Sequence, residues 1–74
     1  MKFTEGQALR TMSVKDMKEK KLCADYFGFA GKTVVVAHDQ EVESMSRAIW
    51  VIPVGGSYIA KIWIRLFDFN EVVL

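Results

Sequence analysis

The sequence predicts an α+β fold, with one helix in the N-terminal half packed on an antiparallel sheet of three to four strands in meander order. Three observations predict it. A run of helix-forming residues follows a capping Ser13, β-branched segments dominate from Lys32 onward, and Gly55-Gly56 separates two long apolar stretches. A small all-β barrel with a short N-terminal helix is the alternative architecture that the same pattern allows.

The elements follow in order. Residues 4–12 suggest a short helical turn, because Thr4 and Gln7 have capping-box spacing, although Gly6 inside it weakens the helix. Ser13 can cap a helix, and Asp16 and Lys20 form an i,i+4 pair in the favourable order. The following residues are mostly good helix formers, and Gly28 suits the position just past a helix end. The helix is therefore expected from about Val14 to Phe27. A rival reading makes Leu22–Phe29 a strand turning at Ala30-Gly31. Tyr26, Phe27 and Phe29 form an apolar cluster that suits burial of the helix–strand joint. From Lys32 the pattern is β: Thr33–His38 is a β-branched run, and Asp39–Ser44 is polar and reads as a loop or the start of the next strand. Ser46–Val54 and Ser57–Phe69 are the strongest strands, and Glu71–Leu74 reads as a last short edge strand.

If Gly55-Gly56 are the two turn residues, Val51 faces Ala60 and Arg47 faces Ile64. One face then carries Ile49, Val51, Ala60, Ile62, Ile64 and Leu66, a core face. The other carries Trp50, Ile52, Ile59, Lys61, Trp63, Arg65 and Phe67. In this register Pro53 lacks an N–H on the side away from its hairpin partner, which predicts a sheet edge there.

Composition bounds the rest. The chain has 74 residues, 51% hydrophobic and 26% charged, with a net charge of +1. That is one domain, too apolar and too little charged for a disordered tail. No apolar run approaches the ~20 residues of a membrane span, and the first residues carry no apolar stretch of the secretory kind. A cytoplasmic, reducing setting is expected from the single Cys23, with no membrane partner. Residues 1–32 hold seven Lys/Arg against four Asp/Glu, and residues 33–74 three against five. This mild asymmetry lacks the basic excess usual in a nucleic-acid-binding protein.

No catalytic constellation assembles. Cys23 and His38, with Asp25 or Asp39 as orienter, would be the residue types for a thiolate nucleophile, but no spacing brings them together, and a buried thiol is expected. Glu41 and Glu43 read as solvated charges. One Cys and one His do not make a zinc site, and no glycine pattern cradles phosphate, so no metal or cofactor is expected. The chain is therefore expected not to be an enzyme.

The positive signal is the second sheet face. Mixed aromatic and cationic residues suit a protein partner, and the contacts expected are Trp50, Lys61, Trp63 and Arg65, with Phe67 as a supporting anchor. Alternatively the helix lies across this face and the Trp residues are core. Lys15, Lys18, Lys20 and Lys21 form a secondary basic surface that could meet phosphates. In size and style the chain is similar to short phage-encoded accessory proteins, including CRISPR–Cas inhibitors: one small α+β domain, no catalytic motif and an apolar-rich sheet. No motif carries that likeness, and no residue role comes with it. The expected function is a module that blocks or modulates a protein partner. Binding of RNA or another single-stranded nucleic acid, and self-association as a homodimer through an edge strand, are the alternatives.

Overall fold

The computed structural model describes residues 1–69. Six strands alternate with short helical pieces: β1 (Lys2–Phe3), β2 (Ala8–Arg10), α1 (Val14–Glu19), a 3₁₀ segment (Ala24–Phe29), β3 (Thr33–Val36), β4 (Gln40–Glu41), β5 (Ala48–Pro53), β6 (Ala60–Trp63) and a 3₁₀ turn (Ile64–Leu66). Strands β2, β3, β5 and β6 form one antiparallel sheet in that order, and β1 pairs with β4 in a second, two-stranded one. The fold is α+β, as expected. The expected strand at 71–74 lies outside the described residues.

The hairpin register is the expected one. Ala48, Ile49, Trp50 and Val51 face Trp63, Ile62, Lys61 and Ala60. The ladder stops at Val51–Ala60, however, and the connection is a longer loop than a two-residue turn. Pro53 supplies the reason. The Ile64 N–H donates to the Arg47 carbonyl at 3.0 Å, so alternate residues 47, 49 and 51 point their backbone groups at β6. Residue 53 continues that phase, and as proline it has no N–H to give. Pro53 is therefore not beside a bare edge on its far side, as expected, but pairs there with Val34 of β3. Val54 then opens a turn in which the Gly56 N–H donates to the Pro53 carbonyl at 2.9 Å. Gly55 takes φ +85°, which its missing Cβ permits.

The strand expected over Ser57–Phe69 runs only from Ala60 to Trp63 before a 3₁₀ turn, and two further elements differ from expectation. Residues 4–12 are not helical. Gln7 does reach back, its Oε1 accepting the Thr4 N–H at 3.2 Å, but it closes a turn with Gly6 at φ +85°. The chain then leaves as β2, pairing Leu9 with Val34. This strand is the fourth of the main sheet. Its apolar content is too short for a periodic signal, and β3 decides its conformation.

The helix is also shorter. It starts at Ser13 as expected, with the Ser13 hydroxyl accepting the Asp16 N–H at 3.2 Å, but ends at Glu19. The Lys21 N–H donates to Lys18 and the Leu22 N–H to Met17, each at 3.0 Å, with Lys21 at φ +58°. This is a Schellman ending with lysine in glycine's usual place. A continuing helix, turning about 100° per residue, would put Leu22 about 140° from Met17. The turn at Lys21 instead lets both reach the core.

The core collects Met17 from α1, Val34 and Val36 from β3, Ile49 and Val51 from β5, and Ile62, Ile64 and Leu66 from β6 and its sequel. The expected core face is thus buried, with Ala60 half-buried. The sheet also curls toward closure. Thr11 bridges Phe67, the Met12 N–H donates to the Leu66 carbonyl at 2.7 Å, and the Asp68 N–H donates to the Arg10 carbonyl at 2.8 Å. Thr11 is buried, and its side chain is hydrogen-bonded on both sides. Its Oγ1 donates to the Phe29 carbonyl and accepts the Lys32 N–H at 2.8 Å.

Candidate partner-binding surface

The outer face of β5 and β6 is open. Trp50 and Trp63 retain 42% and 43% of their accessible surface, and Lys61 is exposed between them. The helix does not lie across them. Its anchor Met17 is on the opposite side of the sheet, in the core.

The register assembles the group. Trp50 is directly opposite Lys61, whose Nζ lies 5.4 Å from the Trp50 ring centroid. That cation–π contact holds the lysine stem flat along the sheet. Trp63 is opposite the small Ala48, which leaves a shallow cleft beside the indole, walled by Glu41, Glu43 and Arg47. Glu43 and Arg47 pair at 3.4 Å across one turn of exposed chain. From the other side, Tyr26 of the 3₁₀ segment stacks on Trp63, with ring centroids 5.3 Å apart and a 35° tilt.

Backbone contacts fix Trp50. Its N–H donates to Gln40 Oε1 at 2.7 Å, and its carbonyl accepts from Gln40 Nε2 at 2.9 Å and from the Ala37 N–H at 3.1 Å. The indole therefore projects from a fully hydrogen-bonded peptide.

The structure thus brings together Trp50, Lys61 and Trp63, and separates two residues expected with them. Arg65 is exposed, but the 3₁₀ turn carries it off the sheet to a hollow it shares with Asp16, Glu19 and Met45. Phe67 is 3% exposed and packs in the core, not on the outer face where it was expected. The break in strand alternation at Ile64–Leu66 is the cause: after one 3₁₀ turn the residues no longer point alternately up and down. Sequence reasoning missed Ala48, Tyr26 and Gln40. Ala48 was legible as Trp63's opposite in the hairpin register, whereas the contacts of Tyr26 and Gln40 are tertiary and leave no local signal.

The remaining candidates are dispersed. Lys15, Lys18, Lys20 and Lys21 are all exposed, and Lys18 Nζ stands 5.8 Å from the Phe27 ring centroid rather than reaching outward alone. Cys23 is exposed, contrary to the expected buried thiol, because the early helix end leaves it at the start of the 3₁₀ segment. His38 is exposed, with Nδ1 3.1 Å from the Asp39 carbonyl oxygen. Among the described residues no group of three or more His, Cys, Asp or Glu is placed to hold a metal ion, and no helix is long and apolar enough to cross a membrane. No protein family, curated protein or solved structure matches the chain.

Proposed function

We propose that this chain is a small non-enzymatic module that blocks or modulates a protein partner, binding it through the outer face around Trp50, Lys61 and Trp63. One observation carries the reading: two indoles, each more than two-fifths exposed, flank one lysine on a hydrogen-bonded strand pair. Large rigid aromatic surfaces of this kind supply most of the binding energy where proteins meet, because they bury much area at little entropic cost.

The charges around the indoles favour a protein over a nucleic acid. Glu41 and Glu43 balance Arg47 and Lys61 beside Trp63, and a phosphate backbone would meet the two carboxylates as well as the two cations. A module that acts by occluding its partner, as phage-encoded CRISPR–Cas inhibitors do, is the class this reading fits. The cell interior, where an exposed thiol such as Cys23 stays reduced, is the compartment it implies.

The test is affinity capture with the wild-type chain, Trp50→Ala and Trp63→Ala, each checked for folding by circular dichroism. A partner held by the wild type should be released by either variant, with affinity reduced about tenfold or more. A folded Trp63→Ala chain that holds the same partner equally well overturns the proposal. Binding instead to single-stranded RNA, with affinity falling steeply as salt rises, would assign the face to nucleic acid.

A further inference from the structure

We propose that the free edge of β6 accepts an extended peptide segment of a protein partner as an added strand. This rests on the reading of the chain as a protein-binding module, and it names the form of the ligand.

Strand β6 is the last of its sheet. The Ile64 N–H bonded to the Arg47 carbonyl sets the phase of the ladder, so residues 60, 62 and 64 point their backbone groups at β5. Lys61 and Trp63 therefore point theirs away: two N–H donors and the Lys61 carbonyl, the Trp63 carbonyl being taken by the 3₁₀ turn that Trp63 caps. The two N–H groups and the Lys61 carbonyl lie on the side of β6 that no strand of the sheet covers. An edge of this kind is a template for another strand.

A depression runs along that edge. Lys61, Ile62 and Trp63 form one side, Leu66 lies beneath, and Tyr26 and Phe29 of the 3₁₀ segment form the far wall. Its volume is about 300 Å³, enough for a few side chains and not for a folded layer. Phe29 is 43% exposed there, with no packing role that uses its whole ring.

The two sides of the edge define the occupant. On the inner side an added strand would place a side chain against Tyr26, Phe29 and Ile62, which suits an apolar or aromatic residue. On the outer side one neighbour in sequence would lie next to Lys61, which suits an acidic residue, and the other next to the Trp63 indole. Strand side chains alternate faces, so the recognised pattern is an apolar residue with Asp or Glu next to it in sequence. A second copy of this chain does not fit. Its own β6 edge, Ala60–Trp63, would bring a second Lys61 and no carboxylate.

The experiment uses the ¹⁵N-labelled full chain and, as probe, the blocked heptapeptide acetyl-EVEFEVE-amide, with an alternately N-methylated version as control. The expected result is amide exchange at Lys61 and Trp63 slowed about tenfold at saturating peptide, because each newly bonded amide must open before it exchanges. N-methylation on the pairing edge should abolish it. Phe29→Ser should weaken peptide binding about tenfold, whereas Val54→Ser, at an exposed position in the β5–β6 turn, should leave it within about twofold. Unchanged exchange at Lys61 and Trp63, or equal binding of the N-methylated peptide, overturns the proposal. So does a doubled light-scattering mass with both amides protected in the absence of peptide, which would give the edge to a second copy. If Trp50→Ala loses a captured partner while the peptide has no effect, this inference fails and the outer-face reading stands. Peptide protection together with capture that ignores both Trp variants does the reverse.

Discussion

The side-chain amide of Gln40 binds both backbone polar groups of Trp50, accepting from its N–H at 2.7 Å and donating to its carbonyl at 2.9 Å. Strand β3 has ended by this point: the Ala37 N–H still donates to the Trp50 carbonyl, but Gln40 Oε1 takes the Trp50 N–H that the Ala37 carbonyl would accept in a continued ladder. The backbone of Gln40 is meanwhile paired with Phe3 in the small sheet. One residue thus couples the two sheets and fixes the base of the Trp50 indole.

Gln40→Leu removes that coupling while keeping bulk. It leaves the Trp50 N–H unpartnered, at an expected cost of about 1–2 kcal/mol in urea unfolding. Gln40→Glu should cost at least as much, because a carboxylate can accept the Trp50 N–H but cannot donate to the carbonyls of Trp50 and His38 that Nε2 now serves. Equal midpoints for wild type and both variants would show that the amide contributes nothing.

Lys21 holds a left-handed conformation, φ +58°, at the end of α1. A side chain there costs about 1 kcal/mol, and glycine avoids it at some loss of unfolded-chain entropy. Lys21→Gly should therefore stabilise the chain by about 0.5–1 kcal/mol, raising Tm by a few degrees. Lys20→Gly, one residue earlier at φ −85°, should not. A thermal melt of the two variants checks the contrast, and a lower Tm for Lys21→Gly would contradict the Schellman assignment.

The legible and illegible parts of the fold divide at this kind of position. The β5–β6 register was readable, because an alternating apolar face over two strands joined by a glycine turn admits one pairing without exposing the core. Ser13 as helix start was readable from its hydroxyl and the residues after it. The helix end was not, because lysine occupies the position where glycine would have announced it. Strand β2 was not, because three residues carry no period and β3 imposes their conformation. Of the surface, the shared face of Trp50, Lys61 and Trp63 followed from the register, and the expected placement of Arg65 and Phe67 on that face failed where alternation was extended through a 3₁₀ turn.

Thr11 joins three segments from a buried position, 2% exposed. Its hydroxyl serves Phe29 and Lys32, and its backbone bridges Phe67. Thr11→Val keeps the shape and removes the hydroxyl, leaving the Lys32 N–H without the partner it has at 2.8 Å. The expected destabilisation is about 1–3 kcal/mol. Thr11→Ser retains the hydrogen bonds and loses one methyl, so it should cost less. Chemical denaturation of both should rank Val below Ser, and the opposite order would mean that packing of the methyl, not the hydroxyl, holds the joint.

Phe67 and Trp63 lie four residues apart and should respond oppositely to truncation. Phe67 is 3% exposed and at the seam where the sheet curls toward β2, so Phe67→Ala should open a cavity and cost about 3–5 kcal/mol. In a chain this small that is most of the available stability, and a molten or unfolded product is expected by near-ultraviolet circular dichroism. Trp63 is 43% exposed and opposite Ala48, and its main internal contact is the Tyr26 ring at 5.3 Å. Trp63→Ala should lose that stacking and part of its apolar contact, about 1–2 kcal/mol, and remain folded. The difference separates a residue kept for the fold from one available to a partner. If Trp63→Ala unfolds as readily as Phe67→Ala, the indole belongs to the core and the outer face loses its principal contact. If Phe67→Ala is tolerated, the closure between Thr11 and Phe67 carries no weight and the sheet is held by its four-strand ladder alone.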